Sequence, residues 1–178
     1  MMKTTWTTWA QAAFVAMLVS WPAGLAAQDA HPASPTVTPD PEMAEDAAVA
    51  VIHDLFDAMR DSDTTAMRAL FAAEVAGFPS SYVNQENMPV IRFGGLDEFL
   101  TSVAGAEPGS LDERIMVRDV IVDDNLVTVI TPYTFHFQGN FSHCGVDVFL
   151  IARQGEDWKI AGLADTRRRG GCEGWLDE

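Results

Sequence analysis

Residues 126–168 read LVTVITPYTFHFQGNFSHCGVDVFLIARQGEDWKIAGLADTRR. β-Branched and aromatic residues dominate this stretch, and breaks at 139–140 and 154–157 divide it into three extended runs. Gly-containing breaks between apolar runs are typical of β-hairpins. A further run, 114–122, precedes it. The C-terminal half is therefore predicted to form a long antiparallel meander.

A turn at Gly139-Asn140 would pair Gln138 with Phe141 and so set the register of the middle hairpin. Because side chains alternate between the faces of a strand, this register predicts one apolar face that meets the helices. That face would carry Val127, Val129, Thr131, Tyr133, Phe135 and Phe137 beside Cys144, Val146, Val148, Leu150 and Ala152.

The face that carries Asp165 and Arg167 stays open. A simple loop places both on the same face as Tyr133. Trp158 and Ile160, however, look like the apolar side of their strand. A β-bulge would reverse the assignment.

The N-terminal half has helical periodicity instead. Apolar residues at 49, 52, 56 and 59 predict a first helix that ends at 60–62, and Ser62 or Asp63 can cap a second short helix that carries Met67, Leu70 and Phe71. A third helix is predicted between Gly95 and Gly105, with short strands at 75–83 and 90–93. Helices followed by an antiparallel meander indicate an α+β fold.

The chain has 178 residues and a formal charge of −15, which disfavours nucleic acid as a partner. Residues 1–27 are predicted to be a cleaved signal peptide, because the apolar run is too short to span a membrane and small residues follow it. After cleavage no stable membrane anchor is expected, so the protein would be exported, either periplasmic or secreted. Residues 28–43 are predicted to be a Pro-rich linker, 44–172 the domain and 173–178 a tail.

Several motifs resemble the nuclear transport factor 2-like, or SnoaL-like, superfamily, and within it the lumazine-binding-like branch. They are LVTVITPY at 126–133, HCGVDVF at 143–149, WKI at 158–160, DTRR at 165–168 and Cys172. The resemblance covers about residues 44–172. It implies a cystatin-like cone in which about three N-terminal helices pack on a curved, mostly antiparallel sheet. It also implies a pocket between helices and sheet, usually in a homodimer, but no particular activity.

The chain has two cysteines, Cys144 and Cys172. In an exported protein such a pair is expected to form a disulfide. The alternatives are two buried free thiols, or a nucleophilic Cys144 activated by His143. Adjacent strand residues point to opposite faces, which makes that dyad geometrically poor.

In the predicted register, His136 lies opposite His143, with Asp147 on the same face. Two imidazoles and a carboxylate can bind zinc or iron, but a polar cluster at a surface or dimer interface is the stronger interpretation, and we predict no metal. If the face assignment is wrong, Asp147 becomes an acid–base group in the pocket, and His143 becomes a ligand-binding residue.

Tyr133, Asp165 and Arg167 form a further candidate set at the rim of the cone. Tyr133 can stabilise an enolate or hold a ligand carbonyl, Asp165 can transfer a proton, and Arg167 can bind an anionic ligand. The alternative is a structural Asp–Arg ion pair with Tyr133 in the core. Tyr82 and Arg92 could complete the site. The arginine run at 167–169 ends a strand, where it is solvated and can serve the pocket locally.

Two functional hypotheses follow. The first is an exported pocket protein that binds a small apolar or aromatic molecule without a cofactor. The second is a cofactor-free isomerase, dehydratase or polyketide-cyclase-type enzyme in which Asp147 or Asp165 moves a proton with the help of Tyr133 or a histidine. The enzyme hypothesis requires two titratable groups to converge in one enclosed cavity.

Overall fold

The computed structural model describes residues 39–75 and 77–176. The predicted signal peptide and most of the predicted linker lie outside these residues. The described residues form three helices: α1 Pro41–Arg60, α2 Thr64–Leu70 and α3 Leu96–Ala104. They also form seven strands: β1 Phe78–Val83, β2 Pro89–Gly94, β3 Leu111–Ile115, β4 Asp119–Asp123, β5 Leu126–Phe137, β6 Asn140–Gln154 and β7 Asp157–Arg167. Among these helices, none has the length and apolar character required to cross a membrane.

Side-chain caps determine where α1 and α2 begin. The Asp40 side chain accepts a hydrogen bond from the Glu42 backbone N–H at 3.0 Å, so α1 starts inside the segment predicted to be linker. Of the two cap candidates for α2, Asp63 takes the role by accepting from Thr65 and Ala66. Each cap contributes about 1 kcal/mol because it satisfies backbone donors that have no partner within the helix.

The strands form one curved sheet in the order β2-β1-β7-β6-β5-β3, and β4 also pairs with β5. All pairings between the named strands are antiparallel except that of β1 with β7. The helices cover the inner face, where α1 contacts β3, β4, β5 and β7. The predicted α+β architecture of three N-terminal helices on a mostly antiparallel sheet is therefore confirmed.

The predicted strand at 114–122 is wrong in detail, because two strands occupy this region. Ile115 pairs with Tyr133, but Asp119 pairs with Ile130, so the register shifts by one residue between β3 and β4. The shift occurs opposite Pro132, which has no N–H to donate to the ladder.

The predicted turn at Gly139-Asn140 is also wrong. Gln138 and Gly139 have φ values of +50° and +76° and form the two-residue turn, so Phe137 pairs with Asn140. Positive φ at both central residues matches the right-handed twist of the flanking strands. His136 then pairs with Phe141, while Phe135 pairs with His143, which leaves Ser142 as an extra residue in β6.

This bulge at Ser142 exchanges the faces of β6 beyond it. Asp147 lies opposite Thr131 and is only 3% exposed, whereas Val148 and Leu150 are 36% and 42% exposed. The β5 half of the predicted inner face is correct over 127–135. The β6 half is wrong, because the inward residues are His143, Gly145, Asp147, Phe149 and Ile151.

A second bulge settles the open face of β7. Leu150 pairs with Gly162 but Ile151 pairs with Ile160, so Ala161 is the extra residue. Positions 160 and 165 are an odd number of residues apart, so a regular strand would place them on opposite faces. Because of the bulge, Ile160 and Asp165 both point inward. The structure is thus compatible both with Asp165 on the same face as Tyr133 and with Ile160 on the apolar side of β7.

The predicted disulfide between Cys144 and Cys172 is confirmed, with Cα atoms 6.1 Å apart. It leaves neither cysteine of the chain as a free nucleophile. Trp175 in the tail donates from Nε1 to the Gly145 carbonyl at 2.9 Å, and the Arg168 guanidinium lies 3.8 Å from the Trp175 ring centroid. The disulfide and these contacts hold the segment after β7 against the outer side of β6.

Candidate functional site

A cavity of about 1180 Å³ lies between the helices and the inner face of the sheet. One end is apolar and is lined by Leu55, Phe56, Met59, Phe78, Phe99, Val103 and Leu163. The other end is lined by exposed residues of the β1–β2 turn at 83–86 and by 167–169 after β7. The cavity thus has an apolar interior and a polar mouth.

A row of polar side chains crosses the sheet between these two ends. The register places Thr131, Asp147, Asp165, Ser80 and Arg92 side by side on five successive strands. All except Thr131 line the cavity. Residues paired across neighbouring strands share a face, so the sheet register itself brings this polar row together.

Glu113 on β3 and Asp147 on β6 both line the cavity, and the charge of Glu113 acts on the carboxyl group of Asp147. Two neighbouring carboxyl groups avoid the repulsion of two negative charges when one of them keeps a proton. Thr131 Oγ1 lies 3.5 Å from Asp147 Oδ2. The pair can therefore hold one proton at the cavity wall.

Burial and mutual repulsion raise the pKa values of this pair. Burial raises the pKa of Glu113 to about 7, although the hydrogen bond from Asp147 and the charge of Arg167 oppose the shift. The pKa of Asp147 also lies well above its ordinary range, because of burial first and then the charges of Glu113 and Asp165. The pair consequently retains a proton near neutral pH.

Tyr133 reaches across β6 to β7. Its hydroxyl donates to the Thr166 carbonyl at 2.9 Å and lies 3.4 Å from Asp165 Oδ2. This position requires Gly145, because a Cβ there would lie 1.7 Å from the Thr166 carbonyl oxygen and 2.8 Å from Tyr133 Cε1. Burial and the surrounding carboxylates raise the pKa of Tyr133, so its hydroxyl remains protonated.

Asp165 and Arg167 form an ion pair between this polar row and the cavity mouth. Arg167 Nε donates to Asp165 Oδ2 at 2.5 Å, and Ser80 Oγ donates to the other carboxylate oxygen. Asp165 is largely buried, while half of the Arg167 side chain is exposed. The structure thus combines the two alternatives for these residues, since an ion pair at the strand end also lines the cavity.

His143 points into the cavity, where its ring contacts Tyr133 edge-on with centroids 5.7 Å apart. Its pKa falls to about 4, because burial and the charges of Arg167 and Arg169 disfavour the protonated form despite the opposing charge of Asp165. His143 is therefore neutral at physiological pH. Its Nδ1 lies 3.0 Å from Ser142 Oγ.

The predicted cluster of His136, His143 and Asp147 does not form. His136 faces Phe141 near the hairpin turn, because the turn and the Ser142 bulge break the assumed register. Over residues 39–75 and 77–176, no group of three or more His, Cys, Asp or Glu side chains is placed to hold a metal ion.

Tyr82 and Arg92 line the mouth of the cavity, and Arg92 is exposed and paired with Glu98. The cavity therefore brings together the candidate residues of the sequence analysis apart from His136 and the disulfide cysteines: Tyr82, Arg92, Tyr133, His143, Asp147, Asp165 and Arg167.

Glu113 is the site residue that the sequence analysis missed. The signal for it was present, because Leu111, Glu113 and Ile115 alternate at the spacing of one strand face. An acidic residue between two apolar residues on the inward face is unusual. The predicted strand begins at Arg114 and so does not include Glu113.

We predict that Gly145→Ala destabilises the protein by about 2 kcal/mol or more, because the new methyl group displaces Tyr133 or β7. The matched control is Gly162→Ala, where a Cβ meets only Leu150 side-chain atoms at 3.4 Å or more. Urea unfolding measures both changes. Equal small effects of the two substitutions would contradict the close approach at Gly145.

We predict that the proton shared by Glu113 and Asp147 makes stability fall as pH rises. A carboxyl whose pKa is raised on folding binds a proton that the unfolded chain has already lost, so Glu113 costs stability between its ordinary value of 4.5 and about 7. Raising the pH from 5 to 8 should lower the free energy of unfolding of the unmodified protein. In Glu113→Gln this decrease should be about 1–3 kcal/mol smaller.

Glu156→Gln is the control for this measurement, because Glu156 is exposed in the β6–β7 turn. Urea unfolding at both pH values should give this variant the pH dependence of the unmodified protein. If the free energy of unfolding of Glu113→Gln depends on pH as it does in the unmodified protein, Glu113 holds no extra proton in the folded state.

Comparison of the sequence with protein-family profiles and with curated proteins returned no match. Comparison of the fold with solved structures, in contrast, returned matches. A nuclear transport factor 2-like protein of unknown function from Shewanella baltica OS155 superposes with a TM-score of 0.56 at 12% identity, over 74% of this chain and 99% of the other. A similar protein from Silicibacter pomeroyi DSS-3 gives 0.56 at 14% identity, over 73% of this chain and 100% of the other.

A domain of unknown function with a cystatin-like fold, from Nostoc punctiforme PCC 73102, gives a TM-score of 0.55 at 20% identity, over 76% of this chain and 84% of the other. These comparisons do not distinguish the lumazine-binding-like branch, which stays a prediction. With three helices on a curved, mostly antiparallel sheet and these structural neighbours, the chain has the nuclear transport factor 2-like fold.

Proposed function

We propose that this protein is exported and binds a small, mostly apolar or aromatic molecule in the cavity between its helices and its sheet. The observation that carries the proposal is the cavity itself, which combines an apolar interior with a row of polar groups. Ligand sites are typically concave and apolar, with few polar groups that orient the ligand. Its volume of about 1180 Å³ has room for a ligand of several rings.

The polar side chains near this row can make different kinds of contact with such a ligand. Tyr133 and neutral His143 can orient a carbonyl or hydroxyl group, and Arg167 adds a cation. Tyr82 and Arg92 extend the site to the mouth. No cofactor enters this proposal.

Export is supported by the disulfide, because such bonds persist in oxidising compartments. The composition of residues 1–27 supports it independently. The homodimer that the resemblance implies stays a prediction.

The carboxyl pair favours a second candidate function, a cofactor-free enzyme of the isomerase, dehydratase or cyclase type. Glu113 and Asp147 meet the requirement that two titratable groups converge in one cavity. The ionised member of the pair would remove a proton from a carbon next to a carbonyl group. The electrons of that C–H bond would move to the carbonyl oxygen as an enolate, which Tyr133 could stabilise. In a substrate with a β,γ double bond, return of the proton to the γ carbon would re-form the carbonyl group, shift the double bond into conjugation and complete an isomerisation.

The binding proposal is tested by blocking the cavity with Ser102→Trp. Ser102 lies on α3 and lines the cavity, whereas the neighbouring Thr101 does not. Both hydroxyls donate to a backbone carbonyl four residues earlier, so Thr101→Trp is a matched control. The neutral fluorescent probe N-phenyl-1-naphthylamine should bind the unmodified protein and the Thr101 variant, and about fivefold more weakly to the Ser102 variant. Absence of binding, or equal affinity for all three proteins, would contradict the proposal.

The enzyme candidate is tested by hydrogen exchange in D₂O. β-Tetralone is an apolar ketone with acidic hydrogens beside its carbonyl group. The protein should accelerate deuterium uptake at those carbons, measured by NMR, and Glu113→Gln and Asp147→Asn should each lower the rate at least about tenfold. Glu156→Gln should leave the rate unchanged. Exchange at the buffer rate, or an unchanged rate in the Asp147 variant, would exclude this role for the pair.

A further inference from the structure

We propose that the ligand of this cavity is an amphiphilic anion, whose carboxylate or similar oxyanion binds Arg167 and Arg169 at the mouth while its apolar body fills the interior. This inference rests on the proposed binding function and specifies the chemical class of the ligand.

The distribution of cations over the chain is the first argument. The protein has 26 acidic residues and only 11 Lys and Arg residues, yet Arg92, Arg167 and Arg169 are all among the residues that line this cavity. An excess of acidic residues repels anions from most of the surface, so a local group of arginines marks the place where an anion can bind.

The direction of these arginines is the second argument. Asp165 and Arg167 point inward, and Arg169 follows at the same two-residue spacing. Arg168 lies between them and stacks on Trp175 on the outer side. Two backbone hydrogen bonds of 2.9 Å between Arg168 and Cys144 hold the chain here, next to the disulfide. The segment is therefore fixed before a ligand binds, which lowers the entropic cost of binding.

The unused donors are the third argument. Arg167 donates a hydrogen bond from Nε to Asp165. Its terminal amino groups have no hydrogen-bond partner within residues 39–75 and 77–176. Arg169 makes neither an ion pair nor a hydrogen bond with any described residue. A guanidinium group has donors in the planar arrangement that a carboxylate or phosphate accepts.

Two acidic residues of the cavity lining are already neutralised by ion pairs. Asp165 and Glu98 are paired with Arg167 and Arg92. Both Arg167 and Arg169 lower the pKa of the nearby His143, which places their positive charge beside the cavity wall. Neutral His143 and the Ser142 hydroxyl, on β6 opposite this segment, can add polar contacts without adding negative charge.

The test compares two fluorescent probes of nearly equal shape, 1-pyrenebutyrate and the neutral 1-pyrenebutanol, at pH 8. The unmodified protein should bind the butyrate at least about fivefold more tightly, and added salt should reduce this preference because part of the site is exposed. Arg169→Gln should reduce the preference about threefold. Arg68→Gln removes the same charge from an exposed ion pair on α2 and should leave the preference unchanged.

The possible outcomes separate this inference from the binding proposal. Equal affinity for the two probes would overturn the anionic class while leaving the cavity as a binding site. An equal loss of preference in the Arg68 and Arg169 variants would also overturn it, because general charge rather than the mouth would then be responsible. Absence of binding of either probe would count against both proposals.

Discussion

The whole candidate site depends on one extra residue in strand β6. The hairpin turn at Gln138-Gly139 starts a register in which Asp147 would point away from the helices, and the bulge at Ser142 reverses it. Because side chains alternate along a strand, this one insertion moves His143, Asp147, Phe149 and their alternate neighbours to the inner face together. The same reversal directs Cys144 outward, where it can reach Cys172. The bulge at Ser142 thus determines the lining of the cavity, the position of the carboxyl pair and the formation of the disulfide.

The energetic reason for the reversal lies in the core. In the observed register Phe149 and Ile151 are fully buried, and the Phe149 ring packs edge-on against Phe56 of α1. Burying two such side chains contributes roughly 3–6 kcal/mol. This gain offsets the cost of placing Asp147 beside Glu113 in an apolar wall. The cavity therefore holds a group that destabilises the fold at high pH, as is common where a protein uses a buried ionisable group for function.

Local patterns predicted much of this fold. The apolar periodicity of α1, the cap and apolar residues of α2, the glycines around α3 and the β-rich runs needed only short-range information. The faces of β6 could not be predicted in this way, because Val146, Val148 and Leu150 are as apolar as Phe149 and Ile151. Only packing against α1 distinguishes the two sets. The apolar residues Trp158 and Ile160 indicate a possible bulge in β7, whereas nothing in the sequence marks the bulge at Ser142, and Glu113 lies just before the predicted strand.

The central claim is that Glu113 and Asp147 share a proton inside the cavity at near-neutral pH. Infrared spectroscopy detects the carbonyl stretch of a protonated carboxyl group directly. At pH 6 the protein should show this band, and it should shift or disappear in both Asp147→Asn and Glu113→Gln, while Glu156→Gln retains it. If the band is absent at pH 6, or is unchanged in the two cavity variants, the carboxyl pair is not protonated and the account of this site is wrong.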